Sequence, residues 1–183
     1  MQGYGKHSFS TESVRQWVED KKRLFPSIPR SDNRGPLILF EEDFGHFQVA
    51  YDGYWTRFRS RSCDWDEQCR FEEAMQLPSL TECARYCWKL LMFRRRPQEV
   101  WESMGYLLPI ISRGRIRSLK HDGDRLVDGE HQRYVIVVYT WGHHQRDTLK
   151  RELHAAGFTC IPWRRGCKAF EARFGPWRAW FGK

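Results

Sequence analysis

No stretch of the 183 residues approaches the roughly 20 apolar residues of a membrane-spanning helix, and the first residues lack the basic-then-apolar run of a secretory leader. Those absences predict an intracellular protein, cytoplasmic or nuclear, whose six Cys are mostly reduced thiols. The Cys also lack metal spacing. Cys63 and Cys69, Cys83 and Cys87, and Cys160 and Cys167 form no CxxC pair, so their spacing carries no signal for a metal. Cys83 and Cys87 read as two small buried residues sharing a helix face. There is no Gly-rich phosphate loop, no HExxH and no GxSxG, which removes the usual routes to nucleotide hydrolysis, metalloproteolysis and serine hydrolysis. No nucleophile stands beside a paired base. The histidines of Gly142-His143-His144, with His154, read as a polar strand end. The acids Asp122, Asp124 and Asp128 near His121 and His131 read as turn residues. No catalytic residue, metal site or cofactor is therefore expected. Repeats and low-complexity tracts are also missing, which excludes a solenoid.

Lysine is scarce as well. Of 31 basic residues only 8 are Lys and 23 are Arg, and they share the chain with nine Trp. Arg forks onto phosphate with two hydrogen bonds and stacks on flat rings, whereas Lys acts as a point charge. The formal net charge of +8 favours a polyanion: nucleic acid ahead of an acidic protein or an anionic membrane surface. A hydrophobic content of 40%, with 15% aromatic, supports a core, so this is not a disordered tail. The length fits one large domain, or one domain plus an arm. From Trp163 to Lys183 the two signals interleave: Trp163-Arg164-Arg165, Lys168-Ala169-Phe170, Arg173-Phe174 and Trp177-Arg178-Ala179-Trp180-Phe181. Single-stranded nucleic acid suits that composition, because bases stack on rings while the backbone follows positive charge. The same stretch also reads as a core edge with buried rings and solvated Arg.

Along the chain, Ser10-Thr11-Glu12-Ser13 is an N-cap signal ahead of Val14, Trp17, Val18 and Leu24 at helical spacing, closed by Pro26. Pro26 to Pro36 reads as a linker, which divides the chain into an N-terminal helical arm and linker over 1–35 and a single domain over 36–183. Leu37 to Phe40, Phe47 to Tyr51 and Tyr54 to Arg59 read as a strand meander, with Asp52-Gly53 as a hairpin turn. In the third strand Trp55, Arg57 and Arg59 share one face, opposite Tyr54, Thr56 and Phe58. Residues 64–112 look mainly helical. Ser79 to Glu82 is a capping box, Arg94-Arg95-Arg96-Pro97 breaks the run, and Gln98 to Ile111 resumes it. Strands return at Ile116 to His121 and Arg125 to Val127, around an Asp122-Gly123 turn. The unbroken run Tyr134 to Thr140 reads as the central strand, buried on both faces. A helix over Arg146 to Ala156, stopped by Gly157, leads to a strand at Phe158 to Ile161. The fold class is α+β: a curved, mostly antiparallel sheet with helices on one face, plus the N-terminal helical arm.

Two resemblances add to this. Trp88-Lys89-Leu90-Leu91-Met92-Phe93, Gln98-Glu99-Val100-Trp101, Gly114-Arg115-Ile116 with Lys120, Val135 to Thr140, and Ala156-Gly157 resemble segments of the basophilic-leukaemia-expressed (bonsin-like) protein family. That resemblance covers under half the chain and implies the fold of the cap-binding translation initiation factor 4E. It also implies a strand at Trp88 to Phe93, where the capping box favours helix. Ser10 to Pro26, with Glu12, Trp17, Lys21-Lys22 and Phe25-Pro26, is similar to a motif of nuclear FMR-interacting proteins that assemble small ribonucleoproteins.

Together these features point to a non-catalytic nucleic-acid-binding protein that prefers RNA, single-stranded or in a ribonucleoprotein. An acidic or ribonucleoprotein partner for the N-terminal helix is a further expectation, and a membrane is not. Arg would hold phosphates and Trp would stack bases. The expected contacts are Trp55, Arg57, Arg59, Arg115, Arg117, Lys120, Trp163, Arg164, Arg165, Trp177 and Arg178. Two alternatives stand beside this reading. One is an adaptor whose Trp- and Arg-rich surface binds a protein. The other is a phosphate-handling enzyme resembling phosphothreonine lyases, with Lys120 as base and a His as acid.

Overall fold

A computed structural model describes residues 10–25, 39–53, 55–60, 86–122, 134–140 and 142–166; at 86, 87, 122 and 163–166 the description is of the backbone alone. Among the described residues seven strands form one antiparallel sheet, curved and not closed, in the order β1-β2-β3-β5-β6-β4-β7. They are β1 (Phe40–Asp43), β2 (Phe47–Tyr51), β3 (Trp55–Ser60), β4 (Tyr86–Arg94), β5 (Ser118–Asp122), β6 (Tyr134–Tyr139) and β7 (Ile161–Gly166). Three helices, α1 (Thr11–Leu24), α2 (Pro97–Ser112) and α3 (His143–Ala155), cover one face of the sheet. The fold is α+β, as the order of sequence signals implies.

Local chemistry explains each helix boundary. Ser10 and Ser13 cap α1 reciprocally: the Ser13 N–H donates to Ser10 Oγ at 3.0 Å and the Ser10 N–H donates to Ser13 Oγ at 3.1 Å. Lys21, Lys22 and Arg23 occupy its last turn, where the helix dipole favours cations. Val14 and Val18 of α1 are fully buried in the same cluster as the sheet, so core packing joins this helix to the rest. The Pro26-to-Pro36 linker lies outside the described residues. In α2, Pro97 stands in the first turn, where its missing N–H costs nothing. Arg96 supplies no side-chain cap; instead Glu99 accepts from the Arg95 N–H at 2.9 Å and from Arg96 Nε at 2.8 Å. Those two bonds, the backbone one first, hold the Glu99 carboxyl below the usual carboxylate range. Gly157, at φ +86°, ends α3 in the left-handed region, and the Phe158 N–H returns to the Leu153 carbonyl at 2.9 Å.

The core lies between the helices and the sheet. Val100, Trp101, Met104, Leu107, Leu108 and Ile111 of α2 meet Val49, Phe58, Leu119, Ile136, Val138, Leu90 and Met92 of the strands. Strand β6 is interior, flanked by β5 and β4, and Val135, Ile136, Val137 and Val138 are all buried. The sequence-expected central strand is therefore present, ending at Tyr139 with Thr140 just beyond it. Two expectations change. Tyr86 to Arg94 is a strand, not the helix that the capping box at Ser79 to Glu82 favours; Trp88, Leu90 and Met92 alternate into the core while both strand edges pair with β6 and β7. The last strand begins at Ile161 and not at Phe158, because Phe158 packs on Tyr106 of α2. Residues 61–85 and 123–133, with the rest of the expected helical region and the Arg125-to-Val127 strand, lie outside the described residues.

One buried group is polar without need. His121 is 1% exposed on the core face, its ring between Phe58 at 5.7 Å and Trp101 at 5.5 Å. Neither ring nitrogen has a hydrogen-bond partner among the described residues. Burial first, and the Lys22 charge second, push its pKa from 6.5 down to about 3. The folded state thus refuses a proton that the unfolded chain accepts below pH 6.5. Stability should be complete above that value and fall as pH drops toward about 3, by up to about 1.4 kcal/mol per pH unit for this one proton. Urea unfolding from pH 7 to pH 4 should show a shallower decline in His121→Phe than in wild type; identical slopes would refute the assignment.

A second outcome follows from the two faces of β6. Val138 is fully buried between Leu119 and Leu90 on the helix side. Val137 pairs in register with Lys120 on the other side. Val138→Asp should cost several kcal/mol, about 3 or more, while Val137→Asp costs less because Lys120 is its cross-strand neighbour. Melting temperatures in the reverse order would overturn this description of the strand.

Candidate nucleic-acid interface

Strand alternation places one set of side chains on the sheet face away from the helices. Read across the register, one row runs Ala50, Arg57, Lys120, Val137, Leu91, Ile161 and the next runs Gln48, Arg59, Ser118, Tyr139, Lys89. A small apolar cluster, Trp55 with Val135 and Val137, lies on this face, with Leu91, Phe93 and Tyr139 packed against it. No helix of the described residues contributes to that cluster. The side chains that dress it are cationic. Lys120 Nζ stands 3.8 Å from the centre of the Trp55 ring. Lys89 Nζ stands 5.3 Å from the Tyr139 ring, and the Arg117 guanidinium carbon 5.5 Å from the same ring. Both are cation–π contacts, each worth on the order of 1 kcal/mol at a partly exposed site.

The hairpin at one end fixes the rest. Gly53 takes φ +80° and the Asp52 N–H donates to the Trp55 carbonyl at 3.2 Å. The Asp52 carboxylate, fully buried, accepts from the Trp55 N–H at 2.7 Å and from Arg57 Nε at 3.0 Å. One acid therefore shapes the turn and holds Arg57 over the sheet. Arg59, two residues on, is exposed.

Of the expected contacts, the structure brings Trp55, Arg57, Arg59, Lys120 and Arg117 together. Two of them are not open to a ligand in the expected way. Trp55 is only 9% exposed beneath Lys120, so it is no free stacking platform in this state, and Arg117 is 4% exposed. Arg115 stands apart, bonded through one guanidinium nitrogen to both Glu152 oxygens of α3 at 2.7 and 2.9 Å, on the helix side. Trp163, Arg164 and Arg165 take register positions opposite Lys89, Trp88 and Cys87 in β7; their side chains, like Trp177 and Arg178 altogether, lie outside the described residues. Three residues were missed: Lys89, Tyr139 and Phe93. The signal was available in the alternation of Lys89, Leu91 and Phe93 against Trp88, Leu90 and Met92, but a helical reading of that segment hides it.

The described residues contain no cluster of three His, Cys, Asp or Glu side chains able to hold a metal. His143 and His144 open α3 with their rings 4.0 Å apart, and His143 packs on Trp88. No family model, curated protein or solved structure matches this chain, so the geometry carries the functional argument by itself.

Asp52 is the testable keystone of the face. Asp52→Ala leaves the Trp55 N–H and the Arg57 guanidinium without that buried acceptor and should cost about 1–3 kcal/mol. Asp52→Asn, which keeps one acceptor oxygen, should cost less; equal urea midpoints for wild type and Asp52→Ala would show that the carboxylate does not organise the hairpin.

Proposed function

We propose that the protein binds single-stranded nucleic acid, RNA in preference to DNA, on the sheet face opposite its helices. The observation that carries this reading is the combination on one face of Arg57, Arg59, Lys120, Lys89 and Arg117 with the rings of Trp55, Tyr139 and Phe93. Cations along a sheet attract a phosphate chain, and the half-buried rings of Tyr139 and Phe93 between them give bases a surface to stack on. The net charge of +8 and the excess of Arg over Lys support the same partner. The likeness of Ser10 to Pro26 to a ribonucleoprotein-assembly motif leans the same way. Arg59, exposed, and Lys89, half-buried, are the principal phosphate contacts; Arg57 is bonded to Asp52 and Arg117 is buried, and both fill a supporting role.

The adaptor reading has one observation of its own. Leu24 and Phe25, at the end of α1 beside Lys21, Lys22 and Arg23, are 62% and 45% exposed. A protein partner there would leave the sheet face free. The enzyme reading draws no support from the geometry: His121 faces the core, across the sheet from Lys120.

With three cations reaching phosphate, Arg59, Lys120 and Lys89, the log–log dependence of single-stranded RNA affinity on salt should have a slope of about −2, at roughly 0.7 per contact. Arg59→Gln and Lys89→Gln should each shallow it by about 0.7, and Arg115→Gln should leave it unchanged. Affinity independent of salt, or lost with Arg115 rather than with Lys89, would defeat the proposal.

A further inference from the structure

A cleft of about 290 Å³ opens on the helix side of the sheet, where the end of α2 meets the first turns of α3. Ile110 and Leu149 give it apolar lining, and Arg115, His144, Gln145 and Thr148 give it polar lining. His144, Thr148 and Glu152 recur every four residues, so they form one stripe of α3. Glu152, at the end of that stripe, anchors Arg115: the Nη2 nitrogen alone reaches both carboxylate oxygens, at 2.7 and 2.9 Å. The Nη1 and Nε donors of Arg115 have no partner among the described residues. Its backbone is fixed as well, since Gly114 turns at φ +67° and the Arg115 N–H donates to the Ile110 carbonyl at 3.2 Å. Thr148 Oγ1 accepts from Arg151 Nη2 at 3.3 Å, and its own hydroxyl proton has no acceptor among the described residues. We propose that this cleft binds a small phosphomonoester, a free sugar or polyol phosphate, at a site separate from the sheet face.

The donor set selects the ligand class. Unspent N–H donors on two guanidinium nitrogens and one hydroxyl proton suit a tetrahedral anion with several acceptor oxygens. A neutral sugar would leave the Arg115 charge unanswered, and the two oxygens of a carboxylate would use fewer of the donors. The anchored guanidinium is held in place before the ligand arrives, so less freedom is lost on binding. The Glu152 charge opposes an anion here, but the surroundings stay positive. α3 carries Arg146, Lys150 and Arg151 against Asp147 and Glu152, with Arg113 and Arg115 beside it. Size limits the ligand further. About 290 Å³ lies at the lower end of small-molecule sites, room for a phosphate and a short carbon body resting on Ile110 and Leu149. The cations of the sheet face belong to other strands, so the two sites stand or fall separately.

The test titrates the whole protein, labelled with nitrogen-15, with ribose 5-phosphate, ribose and inorganic phosphate at constant ionic strength. The backbone N–H signals of His144 and Thr148 and the Arg115 Nε–H signal report on the cleft. Ribose 5-phosphate should shift all three and approach saturation near about 10 mM, as a millimolar affinity requires. Ribose should leave them still, and inorganic phosphate, which lacks the carbon body, should bind about fourfold more weakly. Arg115→Gln should weaken ribose 5-phosphate about tenfold or more, and Thr148→Val about fivefold. The valine variant keeps the shape of the side chain and covers the case in which Arg115→Gln loosens the contact between α2 and α3. Equal shifts by ribose and ribose 5-phosphate, inorganic phosphate binding as tightly as the ester, or undiminished binding in both variants would overturn the site. RNA affinity should be unchanged in both variants, and a protein that binds ribose 5-phosphate but no RNA would refute the sheet-face reading while leaving this one intact.

Discussion

The register of β6 between β5 and β4 is the constraint on which the rest of the molecule depends. Side chains in a strand alternate with period two, so a slip of one residue would exchange the two faces of that strand. In the register found, Val138 meets Leu119 and Leu90 beneath the helices, and Val137 meets Lys120 and Leu91 on the other side. A slip of β6 would lift Ile136 and Val138 out from under the helices and turn Val135, Val137 and Tyr139 toward the core, away from Lys120, Leu91 and Lys89. The apolar cluster on the cationic face would lose its two valines, and the helix side would lose two fully buried side chains.

The two faces satisfy the hydrophobic effect differently. On one, three amphipathic helices cover the sheet and bury Phe47, Phe58, Leu90, Met92, Leu119 and Ile136 completely. On the other, the apolar cluster of Trp55, Val135 and Val137 is dressed by long cationic side chains, whose stems lie along apolar surface while the heads sit over rings or reach water. That arrangement keeps positive charge close to aromatic surface without burying it. Among the described residues Asp52 is the buried acid that enters this face, and it serves the turn and Arg57 together.

The sequence and the structure part company at identifiable places. Trp55, Arg57 and Arg59 were legible as one face because β3 alternates cleanly and is closed by the Gly53 turn. Trp88 to Phe93 was not, because nearly every side chain in it is apolar and a capping box stands just upstream; such a run is equally helix or doubly covered strand until its neighbours are known. Lys89 was hidden by that helical reading, and Tyr139, although legible within the β6 run, carries no local sign of which distant strand it would face. Arg115 and Arg117 are two residues apart and look alike in the chain, yet one bonds Glu152 on the helix side and the other packs on Tyr139. No local pattern separates them.

By itself the sequence determined the element types with strong local signals: the capped α1, the Gly53 hairpin, the apolar β6 and the Gly157 helix end. It also fixed the net charge of +8 and the excess of Arg over Lys beside nine Trp, on which the proposed partner chemistry rests. These follow from backbone preferences, caps and composition, which act within a few residues. Only the tertiary structure decided which cations meet. β5 follows α2 in the chain, but it pairs with β3 on one side and β6 on the other, and β4 lies beyond β6. That non-local strand order is set by burying one continuous apolar face under the helices, and it brings Lys120 onto Trp55 and Lys89 onto Tyr139 across long stretches of chain.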